Sequence, residues 1–230
     1  MTISVINASK STVLIASVLV MFSLLMPDWV YGDGENVQFV PGEVMVKFRN
    51  KTEPDELLSR AIQSSPPDIE ILAPVAGLLS GKTGIPLKIK QILSGGWILL
   101  AVDADKLVAQ SVTRLRERDA ITDVQLKARE SKSVSVPDIK WIDVTFRSSS
   151  FEHKAIKKIL AGKADDSFAK LVQTLAKSLD LPLQGKVDSQ AHLILQVDIR
   201  ELTVAMDKRL RDLSEIIDSV QLNYVATGMN

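Results

Sequence analysis

Apolar residues recur along this chain with the two periods that distinguish strands from helices. Residues 44–49 alternate between apolar and mainly polar side chains, which is the period of a half-buried strand. Residues 107–115 instead place apolar side chains at three- and four-residue spacing, as in a helix with one buried face. The first half of the chain therefore predicts the order strand, helix, strand, strand, helix, strand. These elements are predicted at 39–49, 53–65, 85–93, 97–102, 103–118 and 123–128.

The second half of the chain repeats this order with similar residues 95 to 98 positions later. Residues 96–128 match residues 191–223, and Arg114-Leu115-Arg116 falls on Arg209-Leu210-Arg211. Two earlier patches match in the same order, 85–87 with 181–183 and 46–49 with 144–147. We interpret the pattern as a tandem duplication of a unit of about 90 residues, the size of a small domain.

The strand and helix order of each unit predicts a ferredoxin-like sandwich of the α+β class. Such a βαββαβ unit folds into a four-stranded antiparallel sheet with its helices on one face and the other face open. We therefore predict two tandem sandwiches, with domain 1 at residues 33–129 and domain 2 at residues 138–230. Residues 130–137 are polar and rich in serine, as expected for a linker between domains.

Residues 68–84 have the least clear pattern in the chain. Their apolar positions fit a helix that Pro74 and Gly77 would interrupt, whereas the matching stretch 165–179 has regular helical spacing. We expect the first copy of this helix to be degraded or partly non-helical.

The N-terminus has the layout of a secretory signal peptide. Lys10 precedes the apolar run 13–26, Pro27 breaks it, and small or branched residues lead to a predicted cleavage site after Gly32. The apolar run is shorter than the roughly 20 residues that a membrane-spanning helix needs. Residues 1–32 are therefore predicted to be a signal peptide, and the mature protein to be secreted or periplasmic without an integral span. An uncleaved N-terminal membrane anchor is the alternative.

Composition excludes several classes of function. The 28 basic and 28 acidic side chains balance, so there is no electrostatic basis for binding nucleic acid. The chain has no cysteine, which excludes disulfides and thiolate metal sites. We predict no cofactor and no metal.

Residue types that often carry chemistry have simpler structural interpretations here. Of the two histidines, His153 lies on a lysine-rich helix and is expected at the surface, while His192 heads a strand and is expected to be structural. Asp165-Asp166 could touch a cation, but capping of the following helix is the simpler interpretation. Gly95-Gly96 is expected to form a hairpin turn rather than a phosphate loop.

The opening strand carries a resemblance to a known family. Residues 39–49, FVPGEVMVKFR, closely resemble the first strand of the N-terminal propeptides of secreted bacterial subtilases, the subtilisin-like serine proteases. Leu93-Ser94-Gly95-Gly96 is similar to the propeptide hairpin, and the bend at 119–121 before a Val124-led strand resembles the family's ending. The Glu-Pro-Asn that closes that ending is absent. The resemblance covers residues 39–127 and reaches the second unit only through the repeat.

The resemblance implies an interaction with a protease. Such propeptides template the folding of their protease and then inhibit it, packing the open sheet face on the enzyme and laying a C-terminal tail in the substrate cleft. The motifs of a subtilase catalytic domain, such as His-Gly-Thr and Gly-Thr-Ser, are absent from the sequence, and we predict that the chain is not an enzyme. The residues expected to contact the protease are Met45, Lys47, Val220, Leu222, Tyr224, Val225, Met229 and Asn230.

A second hypothesis remains open from the sequence. The chain could be a non-catalytic interaction or structural module of the cell envelope that has kept the fold without a protease partner. Outward sheet faces that are fully covered would favour this hypothesis, whereas an exposed Met45 would favour the propeptide-like one.

Overall fold

The computed structural model describes residues 39–127, 141–162 and 166–224. The predicted signal peptide and the predicted linker lie outside the described residues. The first repeat forms β1 (Phe39–Phe48), α1 (Glu53–Gln63), α2 (Ala73–Thr83), β2 (Leu87–Ile92), β3 (Trp97–Val102), α3 (Ala104–Arg116) and β4 (Ile121–Lys127). The second repeat forms β5 (Trp141–Phe146), α4 (Phe151–Leu160), α5 (Ser167–Leu179), β6 (Leu183–Val187), β7 (Leu193–Val197), α6 (Ile199–Arg211) and β8 (Ile217–Tyr224).

The strands form two four-stranded sheets in which every pairing is antiparallel. The first sheet has the order β2-β3-β1-β8 and the second sheet the order β4-β5-β7-β6. Within each sheet the order is second, third, first and fourth strand of the βαββαβ unit, which is the ferredoxin-like arrangement. The predicted α+β class with two antiparallel sheets is confirmed.

The fourth strand of each sheet comes from the other repeat. Strand β8 pairs with β1, with Val220 opposite Val46, and β4 pairs with β5, with Val124 opposite Val144. The predicted domain boundaries therefore describe the sequence repeat, whereas each sheet is built from both repeats. The physical reason is that Val124-Gln125-Leu126 and Val220-Gln221-Leu222 carry the same pattern, so either strand fits beside either central strand.

In each repeat, the helix that precedes the exchanged strand also packs on the sheet of the other repeat. Helix α6 packs against β1, β8 and α2, and helix α3 packs against β4. We call residues 104–127 the first arm and residues 199–224 the second arm. Each arm is a helix and strand that one repeat supplies to the sheet of the other, which is domain swapping within a single chain.

Equivalent arginines tie the arms to the repeat that receives them. Arg114 Nη1 donates to the carbonyl oxygen of Leu179 at 3.0 Å, and Arg209 Nη1 donates to that of Thr83 at 2.7 Å. Each acceptor lies in the last turn of α2 or α5, where helix carbonyls lack intrahelical partners. Arg114 and Arg209 therefore have structural roles that only the exchange explains.

Aspartate side chains cap the starts of α3 and α6. Asp103 Oδ1 accepts from the Lys106 amide and Asp198 Oδ1 from the Arg200 amide, as N-cap residues do. Asp166 occupies the N-cap position of α5, as interpreted, but its side chain makes no cap hydrogen bond to the helix. Asp165 lies outside the described residues.

The segment 68–84 is more helical than its pattern predicts. A 3₁₀ turn over Ile69–Leu72 leads into α2, and Pro74 sits in the first turn, where its missing N–H costs nothing. Leu72 and Leu79 are fully buried, so this helix packs on the core like its copy α5. The expectation of a degraded helix is wrong because tertiary packing outweighs the weak local pattern.

A pair of glycines tests how tightly α5 packs on the second sheet. A Cβ at Gly185 of β6 would lie 2.6 Å from Val172 Cγ2, a side chain with little rotamer freedom in a helix. We expect Gly185→Ala to lower the free energy of unfolding by about 1–3 kcal/mol. The control is Gly77→Ala in α2, where the Cβ would meet nothing within 4 Å and should stabilise the helix by up to about 1 kcal/mol. Urea unfolding measures both, and equal stability of the two variants would contradict this packing.

Candidate functional site

The outer face of the first sheet is formed around the opening strand. Met45 and Lys47 of β1 point away from the core and are half-buried, opposite Leu99 and Trp97 of β3. On the other side of β1, the outward neighbours are Gln221 and Ser219 of β8. The face is thus amphipathic, with an apolar centre at Met45 and Trp97, and both repeats contribute to it.

A buried carboxylate at Glu43 joins three strands of this face. Glu43 is 7% exposed, and its two oxygens accept from Lys90 of β2 and from Asn223 of β8, the latter at 2.7 Å. Glu43 lies opposite Ala101 of β3, whose small side chain leaves room for Lys90 to reach across that strand. Charge-assisted bonds of this kind are stronger than neutral ones. Glu43 therefore holds the exchanged strand β8 in register with the first repeat.

Gly42, in the irregular first part of β1, contacts the second arm directly. Gly42 adopts a φ of 83°, a conformation that favours glycine, and its N–H donates to Thr203 Oγ1 at 2.6 Å. Thr203 is fully buried on α6, and its hydroxyl donates to the Ile199 carbonyl oxygen. The segment that resembles a propeptide strand thus contacts the second repeat through Gly42 as well as through Glu43.

The predicted protease-contacting residues divide into three groups. Met45 and Lys47 lie on the outer face, and Tyr224 is 53% exposed at the end of β8, paired with Phe39. Val220 is 4% exposed in the core and Leu222 packs against that core, so neither presents its side chain to a partner. Their assignment as contact residues is corrected because the register of β8 turns them inward. Val225, Met229 and Asn230 lie outside the described residues.

The outward residues of β8 were missed from the sequence. Ser219, Gln221 and Asn223 alternate with the inward valine and leucine, so the strand period alone marks them as facing the other way. What the sequence lacked was the identity of the neighbouring strand, since β8 had been expected beside β5.

A polar cluster lies on the outer face of the second sheet. His192 Nδ1 is 3.5 Å from Asp143 Oδ1 and 3.5 Å from Asp188 Oδ2. Asp188 Oδ1 also accepts from the backbone amides of Gln190 and His192, which shapes the turn between β6 and β7. His192 therefore does more than begin a strand, because it brings two carboxylates together. His153 is separate from this cluster and half-buried on α4.

Among the described residues, two cavities flank the helices. One of about 530 Å³ lies between α2, β2 and α3, lined in part by Ser80, Lys88, Lys106 and Arg114. Its counterpart in the second repeat, about 750 Å³, is lined in part by Phe168, Val172 and Glu201. Their matching positions reflect the duplication.

In the described part of the chain, every helix is too short or too polar to cross a bilayer. Comparison of the chain with protein-family models, with curated proteins and with solved structures finds no significant match to any of them.

Proposed function

We propose that this chain is an exported propeptide-like protein that binds a subtilisin-like serine protease, as an inhibitor or a folding chaperone. The observation that carries the proposal is the position of the FVPGEVMVKFR segment. It forms the central strand β1 of a sheet whose outer side presents Met45, Lys47 and Trp97. An open, partly apolar sheet face is the kind of surface that protein partners cover.

The exchange of arms adds a second element to this proposal. Strand β8 lies beside β1 and is followed in the sequence by residues 225–230. An extended segment that leaves a sheet edge can add as a strand to the substrate cleft of a protease. The surface that resembles a propeptide is therefore composite, with its central strand from the first repeat and its tail from the second. We infer that both repeats are needed for binding.

Inhibition of a panel of secreted subtilases by residues 33–230 tests the proposal. We expect tight inhibition that is lost when residues 226–230 are removed. Lys47→Glu on the outer face should weaken inhibition by about tenfold or more, equivalent to about 1.4 kcal/mol. The matched control is Thr145→Glu, the repeat-equivalent outward position on the second sheet.

The proposal fails if the intact protein neither inhibits any protease of the panel nor assists the refolding of a subtilase that lacks its propeptide. Equal weakening by Lys47→Glu and Thr145→Glu would also contradict a site on the first sheet. Inhibition that survives removal of the tail would place binding on the sheet face alone.

One observation favours the alternative of an envelope interaction module without a protease partner. Leu99 and Ala101, which also face outward on the first sheet, are already buried within the chain. Less apolar surface is therefore open than a bare sheet face would offer. Recovery of a non-protease envelope protein by the intact chain, with no subtilase bound, would support this alternative.

A further inference from the structure

The polar cluster on the second sheet gathers three side chains of the types that bind metal ions. Asp143 comes from β5, Asp188 from the turn after β6, and His192 from the residue before β7. One potential ligand atom from each lies within 4.8 Å of the others. Three elements of the chain are thus joined at one point on the outer face.

The internal repeat shows that these three residues are a departure from the shared pattern. The equivalent positions in the first repeat are Met45, Leu93 and Trp97. The equivalence is structural as well, because the Leu93 amide donates to the Trp97 carbonyl oxygen just as the Asp188 amide donates to that of His192. Three apolar side chains in one repeat are therefore replaced in the other by two carboxylates and an imidazole that converge.

The surroundings of His192 Nδ1 favour a cation bound within the cluster. This atom is shielded from solvent and makes no hydrogen bond, although two carboxylate oxygens lie 3.5 Å away. An unprotonated Nδ1 would direct its lone pair at negative oxygens. A protonated Nδ1 would leave its N–H without a hydrogen bond in a buried position, which is costly. A cation between the three atoms removes both problems.

The outer face of the second sheet also carries a basic side chain, Lys186, and a nearly buried carboxylate, Asp143. Lys186 Nζ lies 4.1 Å from the centroid of the Trp141 ring, on the same outer face. A cation over an aromatic face is itself a favourable arrangement. Asp143 is 5% exposed, so one of the two carboxylates is almost entirely removed from water.

We propose that Asp143, Asp188 and His192 bind a divalent transition-metal ion of the zinc type. Imidazole nitrogen and carboxylate oxygen are a ligand set that Zn²⁺ accepts. Two ligand atoms bound at about 2.1 Å subtend an angle of roughly 110° when they are 3.5 Å apart, which is close to tetrahedral. His192 and Asp188 are partly exposed, and a water molecule would serve as the fourth ligand. The ion would pin the β6–β7 turn to β5.

Metal binding by the full-length protein, stripped with a chelator, tests this site. We expect one Zn²⁺ per chain by titration calorimetry, and an intense visible absorption from Co²⁺ bound in tetrahedral geometry. Zn²⁺ at a hundredfold excess over its Kd should raise the melting temperature by about 5–10 °C. His192→Gln and Asp188→Asn should each weaken Zn²⁺ binding at least tenfold.

The chain provides its own control in His153→Gln, which removes the other histidine and should leave Zn²⁺ affinity and the Co²⁺ spectrum unchanged. Circular dichroism of each variant verifies that it is folded. The proposal is overturned if the wild-type protein binds less than one Zn²⁺ per chain. Zn²⁺ affinity that persists in folded His192→Gln, or is lost in His153→Gln, also overturns it. Protease inhibition is a separate readout, because the cluster and the proposed docking face lie on different sheets.

Discussion

A chain cleaved within residues 130–137 should remain a single particle that contains both halves. Each half supplies a helix and strand to the sheet of the other, so the hydrogen bonds of β1 with β8 and of β4 with β5 all join the two pieces. The buried side chains Val220 and Val124 lie on these exchanged strands. A protease site inserted in this segment of the full-length protein, followed by cleavage and native mass spectrometry, measures the result. Separation of the halves without denaturant would contradict the exchange.

Two introduced cysteine pairs distinguish the exchange of arms from an arrangement in which each repeat forms its own sheet. The chain has no cysteine, so any disulfide must come from the introduced pair. Met45 lies opposite Gln221 of β8, and neighbouring strands place Cα atoms at a spacing that disulfides can span. We expect Met45→Cys with Gln221→Cys to form an intramolecular disulfide under oxidation. The control is Met45→Cys with Gln125→Cys, the repeat-equivalent partner, which would cross-link only if β4 lay beside β1.

Leu202→Ala should cost about 2–5 kcal/mol of unfolding free energy, the range for truncating a fully buried leucine. Leu202 lies on α6 and has no exposed surface. Because α6 packs on β1 and β8, the damage should appear in the first sheet, although the residue belongs to the second repeat. Urea unfolding measures the cost, and amide hydrogen exchange measures its location. We expect faster exchange in β1 than in β7, the strand that directly precedes α6.

The matched variant is Leu107→Ala, the same position of the other repeat, which is also buried. Its helix α3 packs on β4, so amide exchange should rise in β4 and its neighbour β5 more than in β3. Exchange that rises only within the mutated repeat, in both variants, would show that each unit closes on itself. That outcome would contradict the arrangement of the arms.

The exchange also changes how a propeptide-like mechanism would operate in this chain. If each repeat formed a complete sheet of its own, the tail that follows the fourth strand would belong to the same repeat as the opening strand. Here Gly42 and Glu43 of the opening strand bond instead to Thr203 and Asn223 of the second arm. The proposed docking face and its tail are therefore held together by contacts between repeats, and variants of Thr203 should affect inhibition through stability rather than through direct contact.

Much of the fold follows from local chemistry and was predictable. Alternating side chains identified β1, and the internal repeat identified the paired strands β6 and β7 and the helix α6. Asp103 caps α3 with its own side chain, as an aspartate directly before a helix commonly does. The weak helix α2 was underestimated because its stability comes from burying Leu72 and Leu79 rather than from its spacing. Local signals of this kind act within a few residues, and the sequence displays them directly.

By itself, the sequence determined the α+β class and the duplicated strand and helix order, because both depend on residue periodicity within single elements and on the internal repeat. Only the tertiary structure decided which repeat receives each final strand. Val124 and Val220 sit in the same local pattern, so either would satisfy either sheet. The tertiary structure likewise brought together Asp143, Asp188 and His192, which no short spacing links as a set. Both outcomes depend on contacts between distant segments, whose free energy is absent from any local pattern.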